Sequence, residues 1–195
     1  MRIADELDST ITRARQHDRA ALESLIDAYS VRLYAFLYRL TGRHEDTEDL
    51  VQEVFVRLVQ HIGDYEHNGR FEPWLFRIAA NLARDRVRRL SRRPHLLGWD
   101  SPEGNGSEGA RASEQLRDHN SSAPDHLTRI TEDIDRLQQA LAQLPPSERE
   151  IVMLRHYSDM TFAEIAEAMS IPLGTALARS HRGLAKLRRI MEPTS

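Results

Sequence analysis

Thr161-Phe-Ala-Glu-Ile-Ala-Glu-Ala-Met169, then Ser170-Ile-Pro172, then Gly174-Thr-Ala-Leu-Ala-Arg-Ser-His-Arg-Gly-Leu-Ala-Lys-Leu-Arg-Arg189 follow one another in this 195-residue chain. Thr161 and Glu164 have the spacing of a capping box, in which hydroxyl and carboxylate satisfy the free amides of a helix start. Ser-Ile-Pro then interrupts, because proline has no N–H and its ring pushes the preceding residue out of the helical region. In the last piece Arg179, Arg182 and Lys186 recur at three- and four-residue steps and so share one helical face. A short helix, a tight turn and a basic helix are the outline of a helix-turn-helix, whose second helix places forked donors in the major groove. A basic amphipathic helix docked on a partner protein has the same spacing. The short capped helix and the turn before it favour DNA.

Working upstream, Pro145-Pro146 stops a helix that spans about His126–Leu144 on the period of Leu127, Ile130, Ile134, Leu137, Leu141 and Leu144. Ser147-Glu-Arg-Glu150 reads as a second capping box, and His156–Met160 as a turn. Residues 91–125 hold four glycines, three prolines and six serines. Such a composition cannot bury enough surface to order itself, and about 30 residues of it span roughly 30 Å. Before it lie three helices. The first runs from about Ala20 to Leu40 between an Asp18 cap and a Gly42 stop, and the second from about Glu45 to Ile62, ended by Gly63. The third begins near Glu72, with Pro73 in a first turn that needs no N–H. The expected fold is all-α: a helical domain over 1–93, a flexible linker over 94–126, and a second helical domain with the helix-turn-helix over 127–195.

Lys+Arg number 27 against 30 Asp+Glu, a net charge of −3 that taken alone argues against nucleic acid. The distribution argues the other way. Residues 70–93 carry a net +6 and residues 171–190 a net +5, leaving −14 on the other 151. Part of that acid is crowded into Glu45, Asp46, Glu48, Asp49 and Glu53. Two basic blocks in an acidic chain fit two separate polyanion contacts.

There is no cysteine, hence no disulfide, thiolate nucleophile or Cys-based zinc site. No HExxH or paired-histidine ligand spacing occurs among the nine histidines, and no metal or cofactor is expected. Gly104-Asn-Gly-Ser-Glu-Gly109 spells a dinucleotide fingerprint, but it lacks the strand before and helix after that the chemistry requires, so it reads as linker. No secretory signal or run of about 20 apolar residues is present. No catalytic constellation was found.

Taken together, these segments resemble the extracytoplasmic-function (ECF) sigma factors of bacterial RNA polymerase. Asp49-Leu-Val-Gln-Glu-Val-Phe55 is similar to the helix that binds the polymerase clamp, and Arg70-Phe-Glu-Pro-Trp-Leu-Phe-Arg-Ile-Ala-Ala-Asn-Leu-Ala-Arg-Asp85 to the promoter-melting segment. Leu144–Arg155, Thr161–Ala166 and Pro172–Thr175 with Arg179 and His181-Arg182 resemble the reader of the upstream element.

The resemblance implies a cytoplasmic, non-enzymatic factor that binds core RNA polymerase and promoter DNA and is controlled by an anti-sigma protein. It places Asp49, Gln52 and Glu53 on the polymerase. Tyr65, Arg70 and Asn81, with Arg84, Arg86, Arg88 and Arg89 on the backbone, fall on the −10 element. Arg155, Thr161, Thr175, Leu177, Arg179, His181, Arg182 and Lys186 fall on the −35 element. Trp74, at the start of an amphipathic helix, reads as core rather than DNA-facing. The chain departs from the family pattern at Leu177, where Lys or Arg is usual, at Ala178, where Ser is usual, and at Ser180, where a core Leu is usual. An atypical −35 preference follows. Two other classes fit parts of the pattern: a plain helix-turn-helix regulator whose first domain binds a partner or ligand, and a sigma-like decoy that binds polymerase or an anti-sigma protein but reads DNA poorly. The acidic helix followed by the Arg-rich aromatic segment has no use in the first.

Overall fold

The computed structural model describes residues 2–91 and 134–192, all of whose regular structure is helical. Helix α1 spans Arg2–Ala14, α2 Arg19–Thr41, α3 His44–His61 and α4 Phe71–Ser91. In the second stretch residues 134–142 form α5, followed by α6 (Pro146–Tyr157), α7 (Phe162–Ala168) and α8 (Leu173–Met191). The linker, the Gly104–Gly109 motif, Leu127 and Ile130 lie outside the described residues.

In the first domain α2 is central, packing on α1, α3 and α4. Its limits are set by the two residues expected to set them. The Asp18 carboxylate accepts from the Ala21 amide at 2.8 Å, and Gly42 takes φ 71° while its amide returns to the Tyr38 carbonyl. Leu25, Leu33, Phe36 and Leu37 of α2 meet Leu50, Val54 and Leu58 of α3 and Leu75 and Phe76 of α4 in a core closed to solvent. Thr47, fully buried, donates to the Arg43 carbonyl at 2.7 Å and meets the Thr41 hydroxyl at 3.0 Å, fixing the α2–α3 turn. Glu72 in the first turn of α4 takes a forked pair from Arg32 of α2 at 2.6 and 2.8 Å. Helix α1 precedes the three helices expected from the sequence; its buried Ile11 and Ala14 pack it on α2.

The second domain folds around Leu141, Leu144, Ile151, Leu154, Ile165 and Ala176. The Thr161–Glu164 capping box forms, with Thr161 accepting from the Glu164 amide and the Glu164 carboxylate accepting from the Thr161 amide at 2.7 Å. The box read at Ser147–Glu150 does not form. Helix α6 begins at Pro146, two residues earlier than that box requires, Pro145 holds the cap position without a side-chain bond, and Glu150 is drawn away to Arg84. Proline at the first helical position sets the start without needing a donor, so Ser147 already lies inside the helix.

The two domains pack together through α2, α4 and α6. Tyr157, at the end of α6, sits against Phe36 and Phe76 with ring centroids 5.8 and 6.2 Å away. The Tyr157 carbonyl accepts from Arg32 at 2.8 Å, and Arg149 donates to the Leu40 carbonyl at 3.2 Å.

Candidate nucleic-acid interface

Tyr65, Phe71 and Trp74 form one aromatic cluster where the loop after α3 meets α4. The Tyr65 ring lies 4.8 Å from Trp74 and 5.8 Å from Phe71, and only 7% of the residue is exposed. Beside the cluster is a shallow pocket of about 240 Å³ walled by Arg70, Trp74 and Arg77 from the first domain and Met160, Glu164 and Glu167 from the second. Trp74 packs against the core, as expected, and also lines the pocket wall.

Most of the arginines expected on DNA already have carboxylate partners. Arg70 is paired with Glu164, and Arg84 grips Glu150 through both Nη2 and Nε. Arg84 also donates to the Asn81 side-chain oxygen at 3.0 Å, fixing the amide's orientation. Arg86 bridges Asp46 at 2.6 Å and Asp49 at 3.4 Å, so it clips α4 to α3. Arg88 lies 3.4 Å from Asp85, and Arg89 is exposed. Arg77 was missed by the sequence reading. It stands 3.6 Å from Glu167, and its position midway between Arg70 and Arg84, seven residues from each, was the available signal.

On α3, Asp49 and Gln52 are exposed, while Glu53 pairs with Arg57 at 3.1 Å on the same helix. Val56, 53% exposed, continues that face.

Helix α8 packs through Ala176, Ser180 and Gly183. A methyl group added at Gly183 would stand 3.1 Å from Val152, so the glycine is what lets α8 approach α6. Glu148, 5% exposed, receives Arg182 at 3.1 Å and Lys186 at 2.8 Å. Lys186, then Arg182, hold the Glu148 carboxyl below its ordinary value of 4.5. The face carrying Arg179, Arg182 and Lys186 is thus partly turned to the acids of α6. The outward face presents Leu177, Ala178 and His181, with Leu177 46% exposed. Arg155 donates to the Met160 carbonyl at 2.9 Å and lies over Phe162, and the Thr161 hydroxyl is spent on the cap. Both support the turn into α7. Thr175 is half-buried at the start of α8. Among the described residues no cluster suits a metal ion, and no helix is long and apolar enough to cross a membrane.

Two helical bodies, one with an arginine-rich aromatic edge and one with a helix-turn-helix, define a two-part DNA-binding transcription factor. The sigma-70 region 2 family matches residues 25–93, and sigma-70 region 4 matches residues 134–187. The chain is 31% identical to the ECF RNA polymerase sigma factor SigW of Bacillus subtilis over 92% of its length and 93% of that protein's. It is 36% identical to the ECF sigma factor SigE of Mycolicibacterium smegmatis over 95% of its length and 68% of that protein's. Its fold is shared with the sigma factor RpoE of Bartonella quintana, solved with the anti-sigma factor NepR, at a TM-score of 0.64 and 20% identity, covering 87% of this chain and 95% of that one. The chain belongs to the ECF sigma factors, the alternative subunits that direct RNA polymerase to promoters.

Proposed function

We propose that the chain reads two promoter elements with its two domains while α3 holds core RNA polymerase. The observation that carries this reading is the first-domain wall of that pocket, where Tyr65 and Trp74 supply aromatic surface and Arg70 and Arg77 supply cations, paired in the closed chain with Glu164 and Glu167. That is the chemistry an unstacked base and its phosphate require, and stacking contributes about 1–3 kcal/mol per base in comparable sites. Asn81, Arg84 and Arg89 continue the path for the single strand along α4, and Arg86 and Arg88 add charge beside it. The acidic outer face of α3, with Asp49, Gln52 and Glu53, is offered to a basic surface of the polymerase.

In the second domain, Leu177, His181 and Arg182 are the side chains of α8 that reach outward toward the −35 element. Arg155, Thr161, Thr175, Arg179 and Lys186 stand behind or beside them as supports and backbone contacts. An outward leucine where a cation is usual replaces a bidentate base contact, worth about 1–3 kcal/mol of discrimination, with apolar contact such as a thymine methyl. The −35 preference is therefore atypical. The factor works in the cytoplasm, catalyses no reaction itself, and is restrained by an anti-sigma partner, a reading supported by the solved complex of RpoE, which shares its fold, with NepR.

The test is run-off transcription from a genomic fragment library with core polymerase, with and without the chain. Start sites that depend on the chain are expected. Their absence sinks the reading. Asn81→Ala and Arg182→Ala should each reduce initiation while polymerase pull-down is unchanged, and loss of the polymerase would show that the faces are misassigned. Selection from randomised upstream DNA that returned the group's usual −35 motif at full strength would reject the atypical preference.

A further inference from the structure

Helix α1 packs against the loop that carries Tyr65 and Arg70, yet it lies outside the segment matched by the region 2 family, which begins at residue 25. Its base is fixed, since Ile11 and Ala14 are closed to solvent in the core of the first domain. From that base two contacts reach the loop. At the loop's start, a methyl group added at Gly63 would stand 3.4 Å from the His17 ring and 3.8 Å from the Arg15 carbonyl. Near its tip, the Asp8 carboxylate lies 3.0 Å from Nε2 of His67, whose side chain is only 17% exposed.

The rest of the tip is loosely held. Among the described residues, the Asp8–His67 contact is the one hydrogen bond from residues 66–69 to another element. Gly69 takes φ 74° in open space, and a segment with so few contacts opens at small cost. The His67 ring stands 6.0 Å from that of Tyr65, which in turn lies 4.8 Å from Trp74 in the pocket wall. Burial raises the Tyr65 hydroxyl above its ordinary value of 10.0, with Asp8 adding to the rise and Arg15 opposing it, so two charges of α1 bear on this ring. A line of contacts thus runs from α1 through His67 and Tyr65 to the pocket.

We propose that Asp8 and His67 are positioning residues of the single-strand site: through this pair α1 holds the loop over residues 65–70 in the form that receives a base. The inference rests on the reading of the pocket beside Tyr65 and Trp74 as that site. A loop already held in its binding form is spared the ordering cost that a loose one meets at each encounter. Ion pairs with one exposed partner are worth about two- to fivefold in an equilibrium constant.

The test uses holoenzyme assembled from core polymerase and the full chain, with a fluorescein-labelled non-template strand from a promoter that depends on the chain in run-off transcription. Asp8→Ala and His67→Ala should each weaken binding about two- to fivefold, and the double variant no further, because either change already breaks the pair. Asp8→Glu, which keeps the carboxylate, should bind more tightly than Asp8→Ala. Asp8 is exposed, so its substitutions leave the core intact, and they decide the matter should His67→Ala fold poorly by circular dichroism. An abasic site scanned along the strand should erase the Asp8→Ala loss at one position, the base that the pocket holds. A general folding defect would weaken binding at every position. Unchanged binding in Asp8→Ala, losses that multiply in the double variant, Asp8→Glu no better than Asp8→Ala, or a loss that no abasic position erases overturns the proposal. Asn81→Ala separates it from the reading beneath. If Asn81→Ala weakens binding to the strand while the Asp8 and His67 variants do not, only the brace is wrong. If none of them does, the single-strand path is lost and the proposal with it.

Discussion

Ser180 is a small polar residue in an otherwise leucine-rich wall. It is 5% exposed and borders a groove of about 620 Å³ between α5, α6 and α8, with Leu137, Leu141, Val152, Leu184 and Leu187 around it. The position where the family usually carries leucine is thus an unfilled one here. Ser180→Leu should stabilise the second domain by about 0.5–2 kcal/mol, as cavity-filling changes commonly do, and a thermal melt should show a higher Tm. An unchanged or lower Tm would mean the groove walls are already rigid. Glu148 allows a prediction in pH. Its folded value is lowered, so its contribution is complete above the ordinary 4.5 and is lost as the pH falls through the lower folded value. Urea unfolding of the native chain and of Glu148→Gln should therefore differ at neutral pH and converge in acid. A difference that persists unchanged in acid would assign the loss to packing instead. That Arg182 and Lys186 share a face is legible in the sequence, but the acid beneath that face is not. Nothing local announces that Glu148, more than thirty residues earlier, folds beneath them.

At the scale of elements, caps and stops carried the information. Asp18 and Gly42 delimit α2 because each satisfies backbone groups within its own turn, which is a property of adjacent residues alone. The same local logic succeeded at Thr161 and failed at Ser147, where Pro146 had already fixed the helix start and a distant arginine claimed the glutamate. Helix α1 was unread because its anchoring residues, Ile11 and Ala14, find their apolar neighbours only in the folded domain. Gly183 marks an element-scale constraint that composition hides. Gly183→Val would force α8 away from Val152 and the Glu148 backbone, and strain of this kind typically costs about 1–3 kcal/mol. The expected readout is a lower midpoint in chemical unfolding together with weaker −35 binding. A variant as stable as the native chain would show that α8 can shift freely.

For the whole molecule, the packing of two domains was the part least legible in the sequence. The linker composition implied separate bodies, and the order of motifs was correct, but charge blocks reveal neither partner nor direction. Tyr157 illustrates why. Its neighbours Phe36 and Phe76 lie far away in sequence, and only the assembled chain shows the cluster. Each aromatic pair adds about 0.5–1.5 kcal/mol beyond its buried area, enough to couple the unfolding of the two domains. Calorimetry should show one transition in the native chain and two in Tyr157→Ala. Two transitions in both would mean that the domains unfold independently whether or not they touch.

Glu164 has two obligations at once. One carboxylate completes the start of α7 through the Thr161 amide and also receives Arg70 from the other domain. Burial raises its value, but the Thr161 contacts and Arg70 outweigh that and hold it below the ordinary 4.5. When the arginine leaves, the carboxylate has only its own helix to serve. The Thr161 amide should then exchange its hydrogen more slowly in the separated state, while amides along the parted surfaces exchange faster. A single backbone proton would report the separation with the opposite sign to its surroundings.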